Sequence, residues 1–284
     1  MKILKNRSFG FITITVIYAI AIACGIVSYI YLPFDFWLNL LLADIIATAV
    51  TFLFSVIFRN ASVYDPYWSV QPIVIVIAYM VKAPAIGAAQ ILPIIAVFLW
   101  GIRLTANWAY TFHGLTHQDW RYTMLKEKTG KLYPIINFCG IHLVPTLIVY
   151  GCTLPVVFTL VYAPVFNAGS AVFFAVSIFA VILQGTADCQ MHKFRKDGQG
   201  GFIRTGIWKY SRHPNYLGEI LMWWGIALAF VCVMPEHWYL ITGAFANTLL
   251  FLFVSIPLAD GHQSRKAGFA EYKSATRMLL PIKK

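Results

Sequence analysis

Long apolar runs separated by polar segments fill most of the chain. A helix needs about twenty apolar residues to cross roughly 30 Å of hydrocarbon, and most of these runs approach that length. The pattern therefore predicts an all-α, polytopic transmembrane helix bundle. The predicted spans are 11–32, 36–58, 67–81, 86–108, 135–162, 168–187, 217–234 and 238–258.

Two of the predicted spans are irregular. The third is short and contains Pro72, so it is either a span or a re-entrant or interfacial segment. The fifth is long and contains Pro145 and Pro155, which predicts a kink because proline lacks the N–H that a helix interior needs. The pattern alone therefore predicts seven or eight spans.

The basic residues orient the bundle. With eight spans and a cytoplasmic N-terminus, all but one of the 22 Lys and Arg residues face the cytoplasm, the exception being Lys82. The positive-inside tendency therefore favours eight spans with both termini cytoplasmic. Three long polar segments then face the cytoplasm, namely 105–134, 188–216 and 259–284. We expect any polar ligand to bind on that side.

Composition excludes several classes of protein. Of the 284 residues, 60% are hydrophobic and 12% are charged, and the mean hydropathy is +0.71. A globular chain carries about a quarter charged residues, so a soluble enzyme, a disordered chain and a secreted disulfide scaffold are excluded. The net charge of +11 is explained by topology and indicates no nucleic-acid partner. The five cysteines are interpreted as small buried side chains, and the first apolar run as a retained helix rather than a signal peptide.

The segment between the sixth and seventh predicted spans concentrates the polar chemistry. Asp188, His192 and Arg195 lie at helical spacing on one face, and glycines follow that would end the helix. A cluster of cations among aromatic side chains comes next: Arg204, Trp208, Lys209, Tyr210, Arg212, His213 and Tyr216. Arginine matches phosphate oxygens and aromatic faces stack on rings, so the pattern favours a phosphorylated, ring-bearing cofactor. A topology-setting basic loop is the alternative interpretation.

Glu219 is the residue that a basic loop does not explain. A charged side chain within a span costs roughly 2.5–3.5 kcal/mol on insertion scales and usually marks a functional site. Asp188 and Asn215 nearby in the sequence favour such a site. The alternative is a structural ion pair between Glu219 and Arg212 across the turn.

The stretch Arg204-Thr-Gly206-x-x-x-Tyr210-Ser-Arg212-His213-Pro214-Asn215-Tyr216-x-Gly218-Glu219 resembles the steroid 5-alpha-reductase-like integral membrane family, in particular its uncharacterised bacterial branch. The related families include sterol C14-reductases and isoprenylcysteine methyltransferases. The Asp119–Tyr122 element and the tail from Phe269 to Pro281 extend the resemblance, which covers roughly residues 100–284.

The resemblance implies an NADPH-dependent membrane oxidoreductase acting on CH–CH groups. Such an enzyme would reduce a carbon–carbon double bond conjugated to a ketone in a steroid-like or isoprenoid lipid by hydride transfer. It would lie in the bacterial inner membrane with its cofactor site on the cytoplasmic face. We expect one integral membrane domain, 1–284, in which 1–100 form the substrate side and 101–284 the cofactor-binding region.

Carried over by position, the resemblance assigns roles to particular residues. Gln184 replaces the family's asparagine one turn before Asp188. Glu219 is the expected catalytic residue. The family's ketone-polarising glutamate on the early helices has no counterpart here, since no glutamate precedes Glu127. Asp65, Tyr67 and Gln71 of that region are instead the candidate donors to the substrate ketone. The remaining expected cofactor contacts are Gln184, Asp188, His192, Arg195, Lys196, Arg204, Tyr210, Arg212, His213, Asn215, Tyr216, Asp260, His262 and Tyr272.

Two other functions stay open at this point. An S-adenosylmethionine-dependent membrane methyltransferase shares the Arg-His-Pro-x-Tyr core, but we expect it to carry an acidic pair in the tail. A proton-coupled transporter would use Asp44, His142 and Glu219 as a relay and would show inverted repeats, which we do not find.

Other polar residues carry weaker signals. His113 and His117 have the spacing of metal ligands on a helix. Two histidines alone do not make a metal site, so we assign none. His142 is interpreted as a satisfied bundle histidine. Asp44, inside the second span, is expected to be paired or to face a cavity, as intramembrane acids usually do.

Overall fold

The structure is a computed structural model that describes residues 3–84, 86–165, 167–198 and 200–281, without the side chain of Ala88. Lys2, Lys283 and Lys284, which the topology prediction places in the cytoplasm, lie outside the described residues.

The described chain is helical throughout, as the apolar runs predict. The α-helices are α1 (Arg7–Tyr31), α2 (Phe36–Ile57), α3 (Tyr67–Met80), α4 (Ala88–Thr111), α5 (Trp120–Thr129), α6 (Tyr133–Ile136), α7 (Val144–Tyr162), α8 (Ala168–Lys196), α9 (Pro214–Val231), α10 (Thr242–Leu250), α11 (Ile256–Gln263) and α12 (Phe269–Ala275). Short 3₁₀ turns lie at Ile3–Lys5, Ala61–Tyr64, Gly130–Leu132, Gly206–Lys209 and Pro235–Ile241, and π-helical turns at Asn137–Leu143 and Phe251–Ser255.

Six helical stretches within the described residues are long and apolar enough to cross a membrane. They are Arg7–Tyr31, Phe36–Ile57, Ala89–Thr111, Trp120–Tyr162, Ala168–Lys196 and Pro235–Gln263. This confirms an all-α, polytopic integral membrane protein. The third and seventh predicted spans are helices α3 and α9, of 14 and 18 residues, the first short and the second polar at its start. The number of spans and the cytoplasmic position of the termini therefore stay predictions.

The predicted irregularity of the fifth span takes a specific form. A π-helical turn, Asn137–Leu143, leads into α7. Pro145 directly follows this turn, at the second residue of α7, and Pro155 lies inside the helix. A π-helical turn changes which side chains face inward and is frequent at functional sites.

Contacts divide the chain into two compact units. The first comprises Met1–Ile75 and Gly101–Leu154, and the second comprises Val76–Trp100 and Pro155–Lys284. Each unit thus uses two separate stretches of sequence. The division of one membrane domain into a substrate side, 1–100, and a cofactor-binding region, 101–284, stays a prediction.

Buried amides hold the loops of the first unit. Asn39 closes the turn between α1 and α2, because its Nδ2 donates to Leu32 O at 2.9 Å and its Oδ1 accepts from Phe34 N at 3.0 Å. Asn60 donates to the carbonyls of Leu115 and His117 at 2.6 and 3.0 Å. These bonds fix the polar loop after α4 to the turn at Ala61–Tyr64.

Close packing of α8 on α9 dominates the second unit. A Cβ atom at Gly218 would lie 2.7 Å from Ala180 O, and one at Gly225 would lie 2.7 Å from Phe173 O. Ser177 also donates from α8 to Met222 O of α9 at 3.1 Å. The two helices therefore approach closely only because these positions lack side chains, as small residues allow in membrane helix pairs.

The cysteines correct one expectation. Cys152 is buried, but Cys139 and Cys189 are exposed on their helices. An apolar run within a membrane span includes a lipid-facing side, so hydrophobic neighbours in the sequence do not imply burial.

Substituting Gly225→Ala should separate α8 from α9 and destabilise the protein by about 1–3 kcal/mol, the usual range for overpacking. The measurement is the thermal unfolding midpoint of the detergent-solubilised protein. Gly261→Ala in α11 is the matched control, because a Cβ there meets nothing within 4 Å. Equal midpoints for the two variants would show that the α8–α9 approach is not tight.

Candidate functional site

Glu219 lies in the second turn of α9 and is buried, with 4% of its surface exposed. Trp100 donates its indole N–H to Oε2 at 2.7 Å, and Trp223 donates to Oε1 at 2.9 Å. Helix α9 begins at Pro214, a position where proline's missing N–H would be unpaired in any case. The structural ion pair considered between Glu219 and Arg212 is wrong, because Arg212 is bound to Asp260.

Unfilled hydrogen-bonding groups lie near the start of α9, the helix that carries Glu219. Gln184 is fully buried, and within the described chain neither its Nε2 nor its Oε1 has a hydrogen-bond partner. Its Cγ would lie 2.5 Å from a Cβ placed on Gly218, so Gln184 packs against the helix turn that carries Glu219. The buried Oδ1 of Asn215 likewise finds no partner among the described residues.

Leaving a buried polar group unpaired costs about 1–3 kcal/mol. A fold that keeps such groups at one place indicates a ligand that pairs with them. Gln184 offers one donor side and one acceptor side, and Asn215 offers a further acceptor. The combination suits a ligand that both donates and accepts, such as a primary carboxamide.

The next group of expected cofactor contacts lies at the C-terminal end of α8. The helix runs unbroken to Lys196, so Asp188, His192 and Arg195 share one face as predicted. Asp188 and His192 are half-buried, whereas Arg195 and Lys196 are exposed. Gly198, with a φ of 63°, follows the helix end, in agreement with the expected glycine break.

A cavity lies beyond this helix end. It is lined by Phe194, Gly200, Gly201, Phe202, Arg204, Thr205 and Ala267. The guanidinium of Arg204 lies 5.8 Å from the centre of the Phe202 ring, and Gly201 has a φ of 89°. The exposed guanidinium of Arg204, the hydroxyl of Thr205 and the backbone of the two glycines form a surface that suits phosphate oxygens.

Arg212, His213 and Asp260 form a buried ion cluster. Arg212 Nη2 lies 3.1 Å from Asp260 Oδ2, and His213 Nε2 lies 2.9 Å from Oδ1. Lys273 Nζ approaches Oδ2 at 3.5 Å, and Arg212 Nη1 donates to Thr276 O at 2.5 Å. These charges bind the C-terminal segment to the start of α9, and their expected role in cofactor binding stays a prediction.

Aromatic residues surround this cluster. The His213 ring stacks on Tyr216 with centroids 5.2 Å apart, and Tyr216 in turn packs on Phe251 at 4.8 Å. Tyr272 donates its hydroxyl to Trp208 O, and burial raises the pKa of Tyr272 to about 12. Tyr210 is exposed, while His262 is half-buried on α11.

The three candidate donors to the substrate ketone lie in the first unit, in two separate groups. Tyr67 donates its hydroxyl to Asp44 Oδ1 at 2.9 Å, and Gln71 Nε2 donates to Asp44 Oδ2. This confirms that Asp44 is paired. Asp65 instead accepts the hydroxyl of Tyr122 at 2.7 Å. Tyr67 and Gln71 therefore belong together, and Asp65 belongs to the polar loop.

The histidines show no cluster of metal ligands in the part of the chain that is described. There, no three His, Cys, Asp or Glu residues come together in a way that could hold a metal ion. The rings of His113 and His117 are 5.6 Å apart. His142 donates Nδ1–H to Asn137 O at 2.9 Å, but its buried Nε2 finds no partner among described residues, so it is only half satisfied.

Sequence reasoning missed the two tryptophans that bind Glu219. Trp223 stands four residues after Glu219, so helical spacing could have indicated it. Trp100 lies 119 residues away, and no local pattern connects it to Glu219.

These observations define a class of protein, a polytopic helical membrane protein. Its helices α8 and α9 carry a buried carboxylate, Glu219, and buried amide atoms of Gln184 and Asn215 that have no partner among the described residues. A family profile described as a protein of unknown function, DUF1295, matches residues 51–276, so the chain belongs to that family.

Similarity to individual proteins is weaker. The 3-oxo-5-alpha-steroid 4-dehydrogenase 1 of Macaca fascicularis is 29% identical over 111 residues, covering 38% of this chain and 39% of the relative. The protein of the same name from Mus musculus is 30% identical over 112 residues, covering 38% and 40%. An uncharacterized protein of Schizosaccharomyces pombe is 26% identical over 194 residues, covering 58% and 56%.

The chain thus spans between two fifths and three fifths of the length of these relatives. No solved structure matches the chain. The family match and the steroid dehydrogenase similarity confirm the resemblance to the steroid 5-alpha-reductase-like family.

Substituting Asp260→Asn should destabilise the protein by about 3–5 kcal/mol, because it leaves buried Arg212 and His213 without their anion. The measurement is the chemical unfolding of the protein in detergent. Glu236→Gln is the control, since that carboxylate is 60% exposed in its pair with His237 and should cost less than about 1 kcal/mol. A small effect of Asp260→Asn would show that the cluster does not hold the tail.

Asp65 should make stability depend on pH. Burial raises its pKa to about 6, against the lowering effects of the Tyr122 hydrogen bond and of Arg121, and with a further rise from Asp119. Because the folded-state pKa lies above the ordinary value of 3.8, the stabilisation is present below about pH 4 and is lost as pH rises through 6.

The measurement is the difference in unfolding midpoint between the wild type and Asp65→Asn, from pH 4 to pH 7. We expect the wild type to lose stability relative to the variant across this range. A difference that does not change with pH would contradict the assignment.

Proposed function

We propose that this protein is an NADPH-dependent membrane reductase that reduces a carbon–carbon double bond conjugated to a ketone in a steroid-like or isoprenoid lipid. NADPH supplies the hydride when it is bound. The residues of the second unit would hold the cofactor, and residues of the first unit would polarise the ketone of the substrate.

The observation that carries the proposal is the unfilled amide of Gln184, which packs against the turn of α9 at Gly218. Within the described chain Gln184 has no partner for its donor or its acceptor, although it is fully buried. The carboxamide of a nicotinamide ring has donor and acceptor groups that suit the unpaired atoms of Gln184 and Asn215. These two residues would therefore fix the orientation of the ring.

The phosphate groups of the cofactor would be bound by the exposed cations at the end of α8 and around the glycine-rich cavity. Arg195 and Lys196 are exposed, and Arg204 lines the cavity with Thr205. Both terminal nitrogens of Arg212 are engaged, on the carbonyls of Lys273 and Thr276 and on the carboxylate of Asp260. We therefore assign phosphate binding to Arg195, Lys196 and Arg204, and the shaping of the site to Arg212.

In the first unit, Tyr67 is the best candidate for the ketone donor. Its hydroxyl is buried and oriented by Asp44, which also binds Gln71. To act, the hydroxyl would turn its one proton from Asp44 to the carbonyl oxygen, where it could stabilise the negative charge that develops there. Asp44 and Gln71 position the tyrosine, and the buried Oε1 of Gln71, without a partner in the described chain, offers a further acceptor.

The relatives support a reductase. Two of them carry the name 3-oxo-5-alpha-steroid 4-dehydrogenase 1, which describes an enzyme acting on a 3-oxo steroid at a carbon–carbon bond. The proposed chemistry is of that kind, and the helices that span the membrane suit a substrate that dissolves in lipid.

Substituting Gln184→Leu should weaken NADPH binding at least tenfold without lowering the unfolding midpoint, because leucine removes an amide that is unpaired in the free protein. A residue with a purely structural role would lose stability instead. Binding is measured by quenching of tryptophan emission in the purified, detergent-solubilised protein, with S-adenosylmethionine titrated in parallel.

Turnover is measured as oxidation of NADPH with androst-4-ene-3,17-dione and a prenyl enone as probes, and Glu219→Gln should abolish it. The proposal fails if the wild type binds S-adenosylmethionine in preference to NADPH. It also fails if Gln184→Leu binds NADPH as the wild type does.

A further inference from the structure

Buried hydroxyl groups form a continuous chain inside the first unit. The hydroxyl of Tyr64 lies 2.8 Å from that of Thr146, which in turn lies 3.0 Å from that of Thr48. The side chain of Thr48 also hydrogen-bonds to the hydroxyl of Tyr67. Tyr67 donates to Asp44 Oδ1 at 2.9 Å. We call the four hydroxyls from Tyr64 to Tyr67 the hydroxyl chain, and the Asp44 carboxylate is its last acceptor.

The hydroxyl chain is closed off from its surroundings, since each of its four side chains is at most 5% exposed. Its threonines also use their hydroxyls in an unusual way. A threonine inside a helix commonly donates to the carbonyl four residues earlier, and the buried Thr51 of α2 does so to Ala47 O at 3.0 Å. Thr48 of the same helix and Thr146 bond instead to other side-chain hydroxyls. The fold thus keeps several exchangeable protons in series.

The direction of each hydrogen bond in the hydroxyl chain follows from its last acceptor. A hydroxyl has one proton to donate, and a carboxylate only accepts. Because the Tyr67 proton is donated to Asp44, the bond between Thr48 and Tyr67 uses the proton of Thr48. By the same count Thr146 donates to Thr48, and Tyr64 donates to Thr146. All four protons therefore point toward Asp44, which is the order needed to pass a proton from Tyr64 to Tyr67.

We propose that Tyr64, Thr146 and Thr48 relay a proton to Tyr67 when Tyr67 protonates the reduced substrate. The inference rests on the proposed function and deepens it, because it names the path of the proton that an enone takes up on reduction. The three relay residues act through Tyr67 and do not contact the substrate.

The relay restores the proton that Tyr67 gives away. Hydride addition to the β-carbon breaks the carbon–carbon π bond and leaves an enolate. The O–H bond of Tyr67 then breaks, and its proton goes to the enolate oxygen to give an enol, which tautomerises to the saturated ketone. Tyr67 takes the proton of Thr48, and each earlier hydroxyl replaces the proton that it has lost. Water finally returns a proton to Tyr64 and leaves hydroxide.

The Tyr64 end of the hydroxyl chain adjoins a polar part of the protein. Tyr64 ends the turn Ala61–Tyr64, and the backbone N–H of Ala61 in that turn donates to Gln118 Oε1 at 3.0 Å. The backbone N–H of Asp119 donates to the hydroxyl of Ser62 at 2.9 Å. The turn is thus bound to the polar loop after α4, and this end of the chain is the one at which we place the exchange with water.

The test removes one hydroxyl from the chain. Thr48→Val keeps the shape of the side chain but has no proton to pass on. Turnover is measured as NADPH oxidation with androst-4-ene-3,17-dione and a prenyl enone, in H2O and in D2O. We expect kcat to fall about a hundredfold, as for loss of a positioned proton transfer, with little change in KM. The solvent isotope effect on kcat should increase, because proton delivery becomes the slow step.

Thr51→Val is the matched control. It makes the same change at a buried threonine of the same helix, whose hydroxyl bonds to Ala47 O and not to the hydroxyl chain. We expect the wild-type kcat and isotope effect. Thr48→Ser returns a hydroxyl and should recover most of the lost kcat. If Thr48→Val does not fold, Tyr64→Phe removes the first proton of the chain, keeps the ring and should give the same pattern.

The outcomes separate the two proposals. If Thr48→Val has the kcat and isotope effect of Thr51→Val, the relay is wrong, while turnover by the wild type still supports the reductase. A loss of kcat without a larger isotope effect, or without recovery in Thr48→Ser, indicates a structural role and also overturns the relay. A wild type that oxidises NADPH with neither enone overturns the proposed function, and the relay with it. A larger isotope effect confined to variants of the hydroxyl chain supports the relay.

Discussion

The close approach of α8 to α9 is the constraint on which the proposed cofactor site depends. Gly218 and Gly225 let the helices meet, and the same contact presses Gln184 against the turn that carries Glu219. Any side chain at Gly218 would displace the amide as well as the helix. Packing and binding chemistry are therefore set by the same few atoms, and a change in helix spacing alters the site directly.

Ionic contacts hold the polar end of this helix pair. The Asp260 carboxylate contacts the side chains of Arg212, His213 and Lys273. The backbone N–H of Arg212 donates a hydrogen bond to Arg277 O. The loop that carries the exposed arginines is thus braced by the C-terminal segment. A buried cluster of this kind costs desolvation energy and gives a defined geometry in return.

Sequence patterns predicted the helical class, the glycine break after α8 and an acid inside a membrane span at Glu219. These features depend on local periodicity or on residues with a single strong preference. The partners of the charged residues were harder to predict. Arg212 could have paired with Glu219 or with Asp260, and Asp65 could have joined Tyr67 or Tyr122, because those choices depend on contacts between distant segments. Trp100 illustrates the limit, since an indole in an apolar run carries no sign that its N–H is needed.

Indole donors also connect the Glu219 carboxylate to two helices at once. One N–H comes from α4 and the other from α9, and each binds a different oxygen. A sliding movement of α4 past α9 would break the contact with Trp100 but keep the contact with Trp223, because Trp223 moves together with Glu219. The buried carboxylate is therefore sensitive to the register of two helices that lie far apart in the sequence.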